Sequence, residues 1–454
     1  MSVAHETSAA TEALPGLAAD TAPASGRPAA MRFILLAVVI DMISIGLMVP
    51  VLPHIVGKFT HSNDEQTLAY MAVTLCFGVA NFFGSPVLGA LSDRYGRRPV
   101  LLLGFAGLAL SFFVTAAATA LWMLLAVRLF SGAMQSNIAI ANAYVADITA
   151  PEDRARRFGQ LGAMFGIGFI LGPVIGGVLG DIDVRLPFVV AGCLAVINWC
   201  YGFFVLPESL PLNRRRPFEW SRANPVTSLK GLIALKGVGS LVLVVALVGL
   251  AQFMLHTSWV LYTKFKFGWG PGQVGWSLLA VGVVSTISQG VLLKPLLKRF
   301  TAQQLAVTGL LVGTGSYLGF GLVTQGWQMY AVIALGLLGS TATAAMQSII
   351  SNAAEPSRQG QTMGAVSSLN SLMAVMAPVV ALELLRGVSH LPPGHVLIGL
   401  PFFTAAALQF RRDRRLAVLS PPSHRLRACQ PDLIDGFWAR WRMERRRPAR
   451  ESAQ

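Results

Sequence analysis

Apolar residues run almost unbroken through the chain in about twelve stretches, each close to the roughly 20 residues that a helix needs to cross a bilayer. They fall at 33–53, 68–90, 99–119, 121–146, 159–180 and 186–206. After a polar interval come 238–262, 272–297, 303–323, 327–349, 360–386 and 394–410. The runs are continuous rather than alternating, which predicts spanning helices and not the short strands of a closed barrel. The pattern therefore predicts an all-α polytopic membrane protein with about twelve transmembrane helices.

Polar segments divide this array. Residues 1–30 are rich in Ala, Pro and Ser, with no basic start and no apolar core. They read as a disordered cytoplasmic extension, not a signal peptide or a span, and Met31 is an alternative start. Residues 31–206 then form one six-helix half, 207–237 a central cytoplasmic loop rich in Arg and Pro, 238–410 a second six-helix half, and 411–454 a basic cytoplasmic tail. The halves echo one another: Gly89 and Arg98 recur as Gly290 and Arg299, and the pair Pro151 and Gly159 recurs as Pro356 and Gly364. Two such repeats imply pseudo-symmetric halves with a site at their interface.

Charge fixes orientation. Only 13% of residues are charged and 54% are hydrophobic. With the amino terminus inside, thirty of the 36 Lys and Arg residues lie on the cytoplasmic side, so both termini are expected there. The net charge of +15 is then a topology signal and calls for no nucleic-acid partner. Four cysteines make neither a metal spacing nor a disulfide framework. There is no phosphate-binding loop of the GxxxxGK[ST] type. The expectation is a protein without cofactor or metal, not an enzyme, working as a monomer in the lipid bilayer.

The loop after the second span reads Gly89-Ala-Leu-Ser-Asp93-Arg94-Tyr-Gly96-Arg97-Arg98-Pro-Val-Leu101. Nearly residue for residue, it resembles the signature between the second and third spans of the major facilitator superfamily. That resemblance implies a secondary transporter with two six-helix halves. It also implies that Asp93 and Arg97 form a cytoplasmic ion-pair latch with Asp147 at the end of span four, with Gly89, Arg94, Gly96 and Arg98 shaping the loop.

Span five carries Gly168, Gly172, Pro173, Gly176 and Gly177. Glycines four apart allow close helix approach, and Pro173 removes a backbone hydrogen bond. The run resembles the motif of drug–proton antiporters; ordinary helix packing is the alternative. Asp41 lies about eight residues into span one, where an acid costs roughly 2.5–3.5 kcal/mol on insertion scales and is a functional hypothesis by default. It reads as a proton carrier, against the alternative of a structural acid bonded to a neighbouring helix. Arg128 matches the span-four arginine of the superfamily, which implies a part in proton coupling and a counter-charge for an acid of this half. A snorkelling arginine is the other reading.

Further stretches resemble the tetracycline–proton antiporter branch, among them Asp41 through Pro53, Phe158 through Ala163, Ser258 through Leu261 and Gly275 through Leu278. Three polar positions of that branch are replaced here by Ser111, Ser285 and Gly313. The reading is a proton-coupled exporter of small amphipathic organic molecules in a bacterial inner membrane, with Gln135, Asn137 and His256 as substrate contacts. A metabolite importer or symporter of the same fold, or a nontransporting membrane sensor, are the alternatives.

Overall fold

In a computed structural model of the protein, the residues described are 27–220, 224, 239–339 and 359–418. The 1–26 extension, Gln347, Cys429 and the 419–454 part of the tail lie outside them. The described residues form helices joined by short turns and loops, with no strand among them. Among the described residues, nine helices are long and apolar enough to cross a membrane.

The first helices are α1 (Arg27–Met48), the short α2 (Leu52–Gly57), α3 (Asn63–Tyr95) and α4 (Arg97–Ala117). They are followed by α5 (Leu121–Met134), α6 (Asn137–Ile148), α7 (Arg154–Ile182) and α8 (Leu186–Val205). Next come α9 (Gly239–Phe267), α10 (Pro271–Ile287), a π-helical turn at Ser288–Leu292, and α11 (Leu293–Arg299). The series ends with α12 (Ala302–Leu322), α13 (Gly326–Leu335), α14 (Gln359–Arg386) and α15 (Leu400–Val418).

Local chemistry sets several ends. Ser62 caps α3 by accepting from the Glu65 amide at 3.1 Å, with Asp64 and Glu65 in the positive first turn. Thr301 and Gln304 close a reciprocal capping box on α12. Gly96 ends α3 at φ 107°, ψ 159°, a conformation that only glycine adopts readily.

The expected span 121–146 is not one helix. It breaks at Gln135–Ser136 into α5 and α6, with no proline to cause it. The freed Gln135 carbonyl accepts from Asn81 of α3 at 3.4 Å, and the Ser136 hydroxyl ties the break to α3 by donating to the Ser85 carbonyl at 3.4 Å. Irregular backbone at membrane depth is tolerated where protein covers it in this way.

By contact, the chain divides into two compact units. The first takes in the described residues before 231 together with Gly268–Gly282, and the second takes in the described residues of 239–267 and those from 283 onward. Inside the first, α1 packs on α7 and α8, α3 on α5, and α4 on α8. Inside the second, α9 packs on α14 and α15, and α12 on α15. Numbered by span, one with five and three with six in the first unit become seven with eleven and nine with twelve in the second. The repeat seen in the loops is thus also a repeat of helix pairing.

The first unit's core gathers Phe33, Ile34, Ala37, Met42, Leu101, Phe105, Ile140 and Tyr144, all at most 2% exposed. In the second, Trp259 meets Phe320 and Tyr262 meets Phe402 edge to face, and Phe320 packs tilted against Phe402. Lys266 is buried there and donates to the Gly321 carbonyl at 2.6 Å. Large apolar side chains such as Trp122, Ile182 and Phe204 point outward, as a lipid-facing surface requires.

Candidate transport site

At one end of the first unit, the turn at Gly96 brings the end of α3 and the start of α4 against the end of α6. Arg97 there holds two acids at once: Nη1 lies 2.6 Å from Asp93 Oδ1 and Nε lies 3.1 Å from Asp147 Oδ2. Its Nη1 also donates to Ser92 Oγ at 2.6 Å, and Ser209 Oγ donates to Asp147 Oδ2 at 3.3 Å. The Arg97 side chain is only 12% exposed, so these are charge-assisted bonds in a partly desolvated place rather than loose surface pairs. Of the other loop residues, Arg94 lies over the Tyr95 ring and Arg98 donates to the Phe203 carbonyl at 2.6 Å. Gly89 has no heavy atom where a side chain would begin, so its spacing is not a packing need among the described residues.

Glu208, just past α8, is a member of this cluster that the sequence reading missed. Its carboxylate accepts from the Arg97 amide at 2.8 Å and the Arg98 amide at 3.3 Å, which makes it the N-terminal cap of α4. The amides of Ser209 and Leu210 also donate to it. The one signal available was an acid directly after span six, on the same side as the arginines. Beside the cluster lies a cavity of about 490 Å³ lined by Asp93, Arg97, Asp147, Leu210, Arg214 and Arg216.

Deeper in the same unit, Asp41 is 3% exposed within the α1 core. Its hydrogen-bond partner is Asn137 at the start of α6, whose Nδ2 donates to Asp41 Oδ1 at 3.1 Å. Arg128 is not brought to Asp41, contrary to the counter-charge expectation. It is 4% exposed, within electrostatic reach of the Tyr70 hydroxyl, and its Nε and Nη2 have no partner among the described residues. Burial also removes the snorkelling alternative. Asn137, expected as a substrate contact, is itself buried against Asp41, while Gln135 sits half-buried at the helix break.

The α7 glycines divide between two neighbours. Gly168, Gly172 and Gly176 face α1: a Cβ on Gly172 would lie 2.7 Å from the Gly46 Cα, and one on Gly168 would lie 2.5 Å from the Met42 Cβ. Gly177 and Pro173 face the first turns of α10, where a Cβ on Gly275 would lie 2.5 Å from the Pro173 carbonyl oxygen. At the end of this contact Asp181 accepts from the Gly272 amide at 2.9 Å and caps α10. All five motif residues are buried, whereas Leu171, Ile175 and Val178 between them are exposed.

In the second unit, His256 and Gln252 are exposed in the middle of α9, one helical turn apart. The Gln252 amide nitrogen lies 3.2 Å from His256 Nε2, and Tyr317 donates to Gln252 Oε1 at 3.4 Å. With Oε1 accepting from Tyr317, the amide nitrogen is the donor, so Nε2 accepts and Nδ1 carries the proton. Polar groups exposed at this depth face water or ligand rather than lipid.

Residues 34–378 match the Major Facilitator Superfamily. The chain belongs to that superfamily. Among its superfamily relatives, the class C tetracycline resistance protein of Escherichia coli is 32% identical over 411 residues, covering 90% of this chain and 98% of the relative. The class D tetracycline resistance protein of Salmonella ordonez is 33% identical over 354 residues, 78% of this chain and 88% of its own. In fold, the chain is similar to the human organic anion transporter MFSD10 (TETRAN), with TM-score 0.63, 22% identity and coverage of 86% and 99%. It is similar also to the nucleoside transporter NupG, with TM-score 0.69, 12% identity and coverage of 87% and 99%.

The three replaced positions have local partners of their own. Ser111 is buried and donates to the Leu108 carbonyl at 2.8 Å, and Ser285 accepts from Gln289 at 2.8 Å. Gly313 makes room for the Gln409 amide, which would lie 3.0 Å from a Cβ there and donates to the Leu310 carbonyl at 2.9 Å.

Proposed function

We propose that this major facilitator protein exports small amphipathic organic molecules from a bacterial cytoplasm in exchange for protons. The observation that carries the reading is Asp41: a carboxyl buried at the middle of a spanning helix, with a neutral amide as its hydrogen-bond partner and no cation paired with it among the described residues. A group so placed stays ionised only at a cost and is suited to loading and losing a proton as its surroundings change. Similarity to tetracycline resistance proteins over most of the chain supports export and a drug-like substrate.

The roles follow. Asp41 carries the proton. Arg128 supplies a buried positive charge in the same half. The Arg97 cluster latches the cytoplasmic end, and the α7 glycines let α7 slide on α1 and α10. Gln135 and His256 contact substrate, with Nδ1–H of His256 offered to an acceptor such as a carbonyl or enol. Both termini are cytoplasmic and the monomer is the working unit. One proton moving through roughly 150 mV supplies about 3.5 kcal/mol, sufficient for a few-hundred-fold substrate gradient.

The test is a drug panel that includes tetracycline, applied to energised everted vesicles carrying the protein and to vesicles without it. Energy-dependent uptake of a panel member into the lumen is the expected result. Movement only in the opposite direction would overturn export, and no movement of any compound would overturn the drug-exporter reading.

A further inference from the structure

The geometry points to Asn137 as the positioning residue for proton loading at Asp41: a carboxamide that rotates in place to serve both protonation states of the acid. This rests on the reading of Asp41 as the proton carrier. Asn137 donates Nδ2–H to Asp41 Oδ1 at 3.1 Å, and its own Oδ1 is buried with no hydrogen-bond partner among the described residues. An ionised carboxylate is acceptor-only, so it can use the amide's donor but not its acceptor. A protonated carboxyl has an O–H to give, and Asn137 Oδ1 is an unpartnered buried acceptor on the very amide that already bonds Asp41; the other unpartnered amide oxygen of this core, Asn198 Oδ1, belongs to a side chain whose nitrogen is held by the Ala37 carbonyl at 3.0 Å. Half a turn about the last side-chain torsion exchanges amide nitrogen and oxygen with almost no change of shape. Loading a proton on Asp41 then turns N–H···O⁻ into O–H···O=C within the same space, and unloading reverses it.

Two features fit the amide for this. Its Oδ1 faces Gly104 of α4, where a Cβ would collide with it, so the pocket has room for an amide end and no more. The break at Gln135–Ser136 starts α6 at Asn137, which lets this side chain enter the α1 core. Among the described residues, no other charge pairs with Asp41. The charged residues of the packed helices are at their ends: Arg97 and Arg98 on α4, Asp147 on α6, and Arg154, Arg156, Arg157 and Asp181 on α7. On α8, Cys193, Cys200 and Tyr201 are the titratable side chains, on α6 Tyr144 gives its hydroxyl to the Pro207 carbonyl at 2.9 Å, and on α1 itself Arg27 and Arg32 lie more than two turns away. A hydrophobic side chain would leave the acid without a partner in both states, and a cation would hold it ionised.

The test needs no substrate. Infrared difference spectra of the purified full-length protein, titrated between acid and alkaline pH, should contain the carbonyl band of a protonated carboxyl that is missing in Asp41→Asn. In Asn137→Leu, and independently in Gly104→Ala, that band should be shifted, with folding checked by thermal unfolding. The amide bands of Asn137 should appear in the wild-type difference spectrum and vanish in the leucine variant. A carboxyl band unmoved by both substitutions would overturn the amide switch and leave Asp41 as carrier. A wild-type spectrum with no band that Asp41→Asn removes would overturn both.

Discussion

Replacing Gly96 by alanine should damage the protein far more than replacing Gly89, although both are glycines of one loop motif. Gly96 sits at φ 107°, ψ 159°, a region open almost only to glycine, so a side chain there costs about 1–3 kcal/mol in backbone strain. Its methyl group would also collide with Glu208 Oε2 and lie 2.9 Å from Arg215 Nη2. Glu208 would have to leave the Arg97 and Arg98 amides, and losing such a helix cap costs about 1 kcal/mol. The sum for Gly96→Ala is about 2–4 kcal/mol. Gly89→Ala meets open space inside a helix and should be neutral, or stabilising by up to about 1 kcal/mol. Denaturant unfolding of the detergent-solubilised protein, followed by tryptophan fluorescence, can compare these two with Glu208→Ala and with the Gly96→Ala/Glu208→Ala double variant. The double variant should fall short of the summed single costs by about 1 kcal/mol, because the cap can be lost only once. Equal stabilities of Gly96→Ala and Gly89→Ala would refute the strain argument, and strict additivity would refute the displacement of Glu208.

Other substitutions probe the remaining contacts. Asp181→Ala should free the Gly272 amide at the start of α10 and destabilise the protein by about 1 kcal/mol, whereas Asp181→Asn, still a cap, should retain most of that; equal losses would argue against capping. Placing an acid at this position by Gly313→Asp should force Gln409 from its place and cost about 1–3 kcal/mol by overpacking. Gln409→Ala in the same chain should recover part of the loss, and a fully stable Gly313→Asp single variant would contradict the packing account.

Hydropathy located the nine helices long and apolar enough to span among the described residues, because a bilayer demands long apolar runs and the chain supplies them. It could not see the break at Gln135–Ser136, where neither residue is a helix breaker and the cause lies in Asn81 and Ser85 of another helix. The Asp93, Arg97 and Asp147 cluster was legible by resemblance, since the motif keeps its residues in a short order. Glu208 was not: it lies 111 residues from Arg97 in sequence, and only the turn at Gly96 brings them together. The same holds for Asp41 and Asn137, 96 residues apart. Each was visible as a polar residue in an apolar run, but the charge logic of the sequence offered Arg128 as the partner of Asp41. The fold supplies an amide instead, and that difference changes how a proton can be held there.

The central claim is that protons move outward-to-inward through Asp41 as substrate moves the other way. It is tested most directly by loading everted vesicles with a pH-sensitive dye, acidifying the lumen by respiration, and adding a compound that the wild-type protein takes up. Wild type should release lumenal protons on addition, and Asp41→Asn, present at equal amount and folded, should release none while still allowing substrate to exchange down its gradient. Undiminished proton release in Asp41→Asn, or substrate uptake in wild type with no proton release at all, would contradict the account.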